Sequence, residues 1–157
     1  MKLDENGYKL IASFEGLELE PYLCSANVPT IGYGNTFYPN GRKVTLKDHP
    51  ITKAYAIEIL RFVADLFAKD VSSLIKSKVT QNQFNTLVSF AYNVGTDIDA
   101  DDIPEGLGDS TLLKMVNKNP NDKAIVAELL KWNKAKGKVV TGLTNRRIKE
   151  GQNYFIP

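Results

Sequence analysis

The sequence predicts an α+β domain, mostly helical, in which a small β-containing lobe is joined by one long helix to a larger helical lobe. Three observations carry that expectation. Apolar residues recur at three- and four-residue steps through most of the chain. One stretch only, from Leu19 to about Thr45, breaks into short β-prone pieces at Gly32, Gly34 and the Pro39-Asn40-Gly41 turn. A length of 157 residues with 43% hydrophobic content supports one compact core and no second independent domain. The expected division is about 17–50 for the β-containing lobe, 51–76 for the connecting helix, and 1–16 with 77–157 for the helical lobe.

Each element has its own signal. Asp4 caps a first helix whose stripe of Tyr8, Ile11, Ala12 and Glu15 runs to Gly16, placing Glu15 in the last turn. From Ile51 to about Ile75 the residues Ile59, Leu60, Val63, Leu66, Phe67, Val71, Leu74 and Ile75 form one apolar stripe, the linking helix. Thr80 and Gln83 have the spacing of a capping box, opening a helix through Phe84, Leu87, Val88 and Ala91 that Gly95 ends. Three further helices are expected near Ser110 to Asn117, Asp122 to Asn133 and Leu143 to Phe155, with Trp132 in the core.

Composition excludes several classes of function. Twenty basic against 18 acidic residues leave a net charge of +2, too balanced for a nucleic-acid footprint yet compatible with an anionic cell wall. No phosphate loop or dinucleotide fingerprint is present. The start has no apolar segment of signal-peptide length and no run approaches a membrane span, so synthesis in the cytoplasm without stable membrane insertion is expected. The lone cysteine, Cys24, excludes an internal disulfide, and the lone histidine, His49, excludes a Ser-His-Asp triad or a multi-histidine metal site. Asp97, Asp99, Asp101, Asp102, Glu105 and Asp109 imitate a calcium loop, but Asp102 stands where glycine is needed and Gly108 where a bidentate glutamate belongs. A solvated acidic lip is the expectation, with no metal and no cofactor.

The chemistry concentrates in sixteen residues. Glu15 is an acid, Cys24 a thiol nine positions on, and Thr30 a hydroxyl that opens Thr30-Ile31-Gly32-Tyr33-Gly34. A glycosidic bond needs a proton delivered to the leaving oxygen, and a nucleophile or activated water on the other face of the sugar. Glu15 is the candidate acid, since a carboxylate at the negative end of a helix dipole is disfavoured when charged. Cys24 taken alone reads as a small buried hydrophobe and Thr30 as a β-position filler.

With the blocks Gln83 to Gly95, Ser110 to Lys114, Trp132 and Gly142 to Arg147 in the same order, the chain resembles the phage-type lysozymes over nearly its whole length. The resemblance implies a lysozyme-like fold with a cleft between the lobes. It also implies a monomeric muramidase cutting the β-1,4 bond between N-acetylmuramic acid and N-acetylglucosamine in peptidoglycan glycan strands, exported through a holin pore if phage-borne. By the same resemblance Glu15, Cys24 and Thr30 are catalytic, with Cys24 either attacking the anomeric carbon or, with Thr30, positioning a water. Gly32, Tyr33, Gly34, Tyr92 and Asn93 would line the saccharide cleft, although core packing is the ordinary role of Tyr33 and Tyr92. Asn35 stands where relatives often have histidine. Arg146 matches an arginine near the catalytic glutamate and would oppose the dipole there, while Arg147 is left open to solvent. A lytic transglycosylase using Glu15 alone and a non-catalytic wall-binding module remain as alternatives.

Overall fold

The computed structural model describes residues 1–98 and 105–157. Among the described residues it holds six helices and two small antiparallel hairpins, an α+β architecture dominated by helix. No helix among them is long and apolar enough to cross a membrane.

The first helix, α1 (Glu5–Ala12), starts where expected, and Asp4 does more than cap it. Its Oδ1 accepts from the Gly7 amide at 2.9 Å and from Asn85 Nδ2 at 2.8 Å, tying the helix start to a neighbouring helix. Gly7 lies against Leu3 and Asn85, where a β-carbon would collide, so the close approach of the two helices depends on it. The helix stops before Glu15, contrary to the expectation from spacing. Ser13 donates its hydroxyl back to the Leu10 carbonyl at 2.7 Å, and the Phe14 amide bonds Ile11 at 3.0 Å, so the chain tightens into a turn.

Strands β1 (Glu18–Leu23) and β2 (Pro29–Gly32) pair antiparallel, Tyr22 opposite Thr30 and Leu23 opposite Pro29. The register shifts between Glu18 and Tyr22, the interval containing Pro21, which has no amide to donate to the ladder. Helix α2 (Lys53–Leu74), capped by Thr52, buries Ala56, Ile59, Leu60, Val63, Ala64, Ala68 and Val71. Leu66 falls outside this stripe and is 45% exposed, because the buried face advances 56-59-60-63-64 and turns away from it.

Helix α3 (Gln81–Val94) has the reciprocal capping box expected of Thr80 and Gln83 and is the centre of the molecule, with Phe84, Leu87, Val88, Phe90 and Ala91 wholly buried. Against it pack α1, α2 and α6 (Thr141–Tyr154), while α5 (Ala124–Leu130) packs on α6 and α4 (Thr111–Lys118) on α5. A second core of Ile31, Tyr38, Val44 and Ile59 joins the β-rich segment to α2.

A second hairpin, β3 (Lys134–Ala135) with β4 (Lys138–Val139), corrects the expectation that strands are confined to the early segment. Lys136 and Gly137 turn it with φ of 50° and 76°, the doubly positive geometry of a tight two-residue hairpin. It shortens α5, which ends at Leu130 rather than near Asn133. Of the acidic segment, Asp99, Asp101 and Asp102 lie outside the described residues. Its two ends are joined by Asp97, whose Oδ2 accepts from the Glu105 and Gly106 amides at 3.1 Å each.

Candidate active site

Glu15 sits in the turn after α1, three residues beyond its last helical position, so the dipole argument made for it does not apply. Its side chain is held by an ion pair. Arg146 on α6 donates from Nη1 to Glu15 Oε1 at 2.8 Å; the arginine side chain is 6% exposed and the glutamate 23%. The guanidinium also lies over the Phe14 ring, 4.7 Å from its centroid. Arg146 is thus fixed against the protein and reaches solvent through Glu15.

Glu15, Gly16, Glu18, Tyr22 and Gly34 line a cleft of about 460 Å³, within the range that holds small ligands. Its walls are the turn after α1 on one side and the β1–β2 hairpin on the other. A larger cavity of about 580 Å³ lies against Tyr8, Asp65 and Lys69 on α1 and α2, but none of the candidate catalytic groups lines it. Chemistry, rather than size, identifies the site.

Cys24 follows β1 directly and opens the turn to β2, where its amide bonds the Val28 carbonyl at 3.1 Å. The thiol is held below the ordinary thiol range, first by the Val28 amide, then by the Ala26 amide and the Thr30 hydroxyl, which together outweigh its desolvation. Thr30 is only 2% exposed, and its one hydroxyl proton faces two acceptors, the Val28 carbonyl at 2.9 Å and the Cys24 sulfur. A residue so buried is suited to orienting Cys24 more than to gripping a water in open solvent. Neither Cys24 nor Thr30 lines the cleft itself. Tyr22 does, opposite Thr30 in the register and on the same strand face as Cys24. Its phenol is pushed up by burial, and further by the nearby Cys24, Glu18 and Glu15.

The glycines behave differently from one another. Gly34 is exposed on the cleft wall with φ 84°, leaving backbone open to a ligand, whereas Gly32 is buried at φ 66° and serves the bend. Tyr33 is 8% exposed and belongs to the main core, a packing position. Tyr92 packs its ring on Phe67 at 5.2 Å, and burial pushes its phenol up to about 12. Asn35 donates from Nδ2 to the Tyr92 hydroxyl at 3.3 Å, a link between the segment after β2 and α3 that the sequence did not suggest. Asn93 is exposed, and its amide oxygen accepts from Arg147 Nη2.

Arg147 corrects the solvent placement left open for it: it is wholly buried, donating from Nε to the Trp132 carbonyl at 2.9 Å and from Nη1 to Glu150. Burial lowers its guanidinium below the usual range, against the pull of Glu150. Glu150 and Ser89 complete the network and were missed by sequence reasoning. Their signal was present, since Glu150 stands four residues after Arg146 on one helix.

A sequence model of the family described as phage lysozyme matches residues 12–150. The endolysin of Bacillus phage PZA is 40% identical over 155 residues, covering 96% of this chain and 54% of its own length. That of Acyrthosiphon pisum secondary endosymbiont phage 1 is 34% identical over 154 residues, covering 96% of this chain and 95% of its own. Among solved structures, the endolysin from Escherichia coli O157:H7 phage FAHEc1 matches with a TM-score of 0.85 at 36% identity, covering 99% of this chain and 94% of that one. The chain therefore spans about half the length of the curated Bacillus phage relative and nearly all of the other two.

Proposed function

Because this chain belongs to the phage lysozyme family, we propose that it is a peptidoglycan hydrolase, an endolysin of muramidase type that cleaves the β-1,4 bond between N-acetylmuramic acid and N-acetylglucosamine. The observation that carries the proposal is one acid, Glu15, anchored by a buried arginine at the edge of a cleft whose facing wall is the β1–β2 hairpin, with the Cys24 thiol, held low by backbone amides, in that hairpin's turn.

Glu15 protonates the leaving oxygen as the bond lengthens. Cys24, held toward its thiolate by backbone amides, supplies the negative charge facing the oxocarbenium-like transition state that a second carboxylate would otherwise supply. Thr30 bonds the sulfur when its hydroxyl turns from the Val28 carbonyl, and Tyr22 and Gly34 bound the sugar's path. Asn93, exposed beside the network, and Tyr92, whose phenol feels the charges of Glu15 and Arg146, adjoin the bound glycan. Attack by sulfur expels the leaving sugar and forms a thioglycosyl-enzyme, whose C–S bond a water deprotonated by Glu15 then displaces, giving net retention; single attack by a water held at Cys24 gives inversion, and proton NMR of the first-formed anomer separates them. In this reading the protein acts as a monomer without a cofactor, on wall glycan strands, after passing a membrane opened by a separate holin. The test is clearance of outer-membrane-permeabilised Gram-negative cells: the wild type clears, Glu15→Gln does not, and Cys24→Asp retains activity. Failure of the wild type to clear, with binding to purified walls intact, overturns the hydrolase reading.

A further inference from the structure

Arg146 spends its donors in three directions: Nη1 on Glu15 at 2.8 Å, Nε on Glu150 Oε1 at 3.1 Å and Nη2 on the Ser89 carbonyl at 3.0 Å. Glu150 is wholly buried and its two oxygens are divided. Oε1 accepts from Arg146 and from the Ser89 hydroxyl at 2.8 Å, and Oε2 accepts from Arg147. Phe14 lies against one guanidinium and Phe90 against the other.

A wholly buried carboxylate is costly, and stability alone would be served by one arginine and one partner, or by apolar side chains in their place. Here two guanidinium groups and one carboxylate are packed together, leaving a single net positive charge. Only Glu15 brings the set to neutrality, and of the four groups only Glu15 lines the cleft. Gain or loss of a proton at Glu15 therefore switches the set between one positive charge and none.

Resting on the reading of Glu15 as the acid, we propose that Glu150 is a positioning residue for it. Glu150 fixes the Arg146 fork through Nε so that Nη1 faces Glu15, and it cancels Arg147, so that the acid meets one net positive charge rather than two. The other titratable groups around Glu15 include Lys149 on α6, which lies over the Phe14 ring, Tyr92 on α3, Glu18 and Tyr22 on β1, and Cys24 just after β1. None of these is altered by the variants that test the proposal.

The test compares the wild type, Glu150→Gln, Glu150→Asp and Arg147→Met. Hydrolysis of purified peptidoglycan is followed against pH, the Glu15 carboxyl carbon by NMR over the same range, and folding by calorimetry. Glu150→Gln leaves two uncancelled guanidinium groups, so the alkaline limb of kcat moves acidward by about one pH unit, with KM within about twofold. Arg147→Met removes one positive charge and moves the limb the opposite way by about the same amount. Glu150→Asp keeps the charge and returns the limb toward the wild type. A merely structural role would lower the melting temperature and leave both limbs in place, and that result overturns the proposal. If Glu150→Gln does not fold, the direction of the Arg147→Met shift decides alone. Wild type that fails to hydrolyse while the Glu15 carbon still responds to both variants contradicts the enzymatic reading and supports the positioning role. Hydrolysis with unmoved limbs does the reverse.

Discussion

The pairing of Glu15 with Arg146 and the activation of Cys24 are separate devices, and each has its own test. In the proposed mechanism Glu15→Gln removes the transferable proton but keeps an acceptor for Arg146, so activity should fall by about 10²- to 10⁴-fold while the protein stays folded. Cys24 has its thiol held low by the Val28 amide first, then by Ala26 and Thr30, so half-maximal reaction with iodoacetamide should come below the ordinary thiol value, about 8.5. Thr30→Val should move that midpoint upward, and an unmoved midpoint would remove Thr30 from the site. The linked stability follows in sign: a thiol depressed by folding contributes above its unfolded value, and the contribution is lost as pH falls through the folded one. Glu15, Cys24, Thr30 and Arg146 were legible because motif order marks them. Glu150, Ser89 and Tyr22 were not, because a buried charge network and a cross-strand neighbour are facts of packing that spacing only hints at.

Among the elements, α3 carries the fold and its start is the most exposed to test. Thr80 and Gln83 each satisfy the other's backbone amide, at 3.2 Å and 2.9 Å, before a run of wholly buried residues. Thr80→Ala should cost about 1 kcal/mol, read as a lower urea midpoint with unchanged slope. This cap, the Asp4 cap and the long α2 were all readable from spacing, since each rests on contacts within four residues. The end of α1 was not, because the apolar stripe continues to Glu15 while Ser13 turns the backbone away. The hairpin β3–β4 escaped for a related reason: its turn is Lys136-Gly137, without the Asn-Gly or Asp-Gly signal, and its strands have two residues each. The first of these falls at the candidate site, since Glu15 lies in the turn that ends α1.

At the scale of the whole molecule, the site lies between two unequally supported parts. The helical part buries a large cluster around α3, whereas the early β-rich segment closes on Ile31, Tyr38, Val44 and Ile59 and shares Tyr33 with the main core. Amide exchange should accordingly be faster in β1 and β2 than in α3, with the hairpin opening below the global unfolding free energy. Equal protection throughout would mean that the hairpin is no separate unit. Glu15 follows α1, on the better supported side, and Cys24 lies in the turn of the β1–β2 hairpin, on the weaker one. The measurement that bears most directly on this arrangement is mass spectrometry of purified peptidoglycan digested by the wild type and by Glu15→Gln. Reducing-end muropeptides from the wild type, and none from Glu15→Gln, are the expected result. Products lighter by one water, with a 1,6-anhydro end, or undiminished digestion by Glu15→Gln, would contradict it.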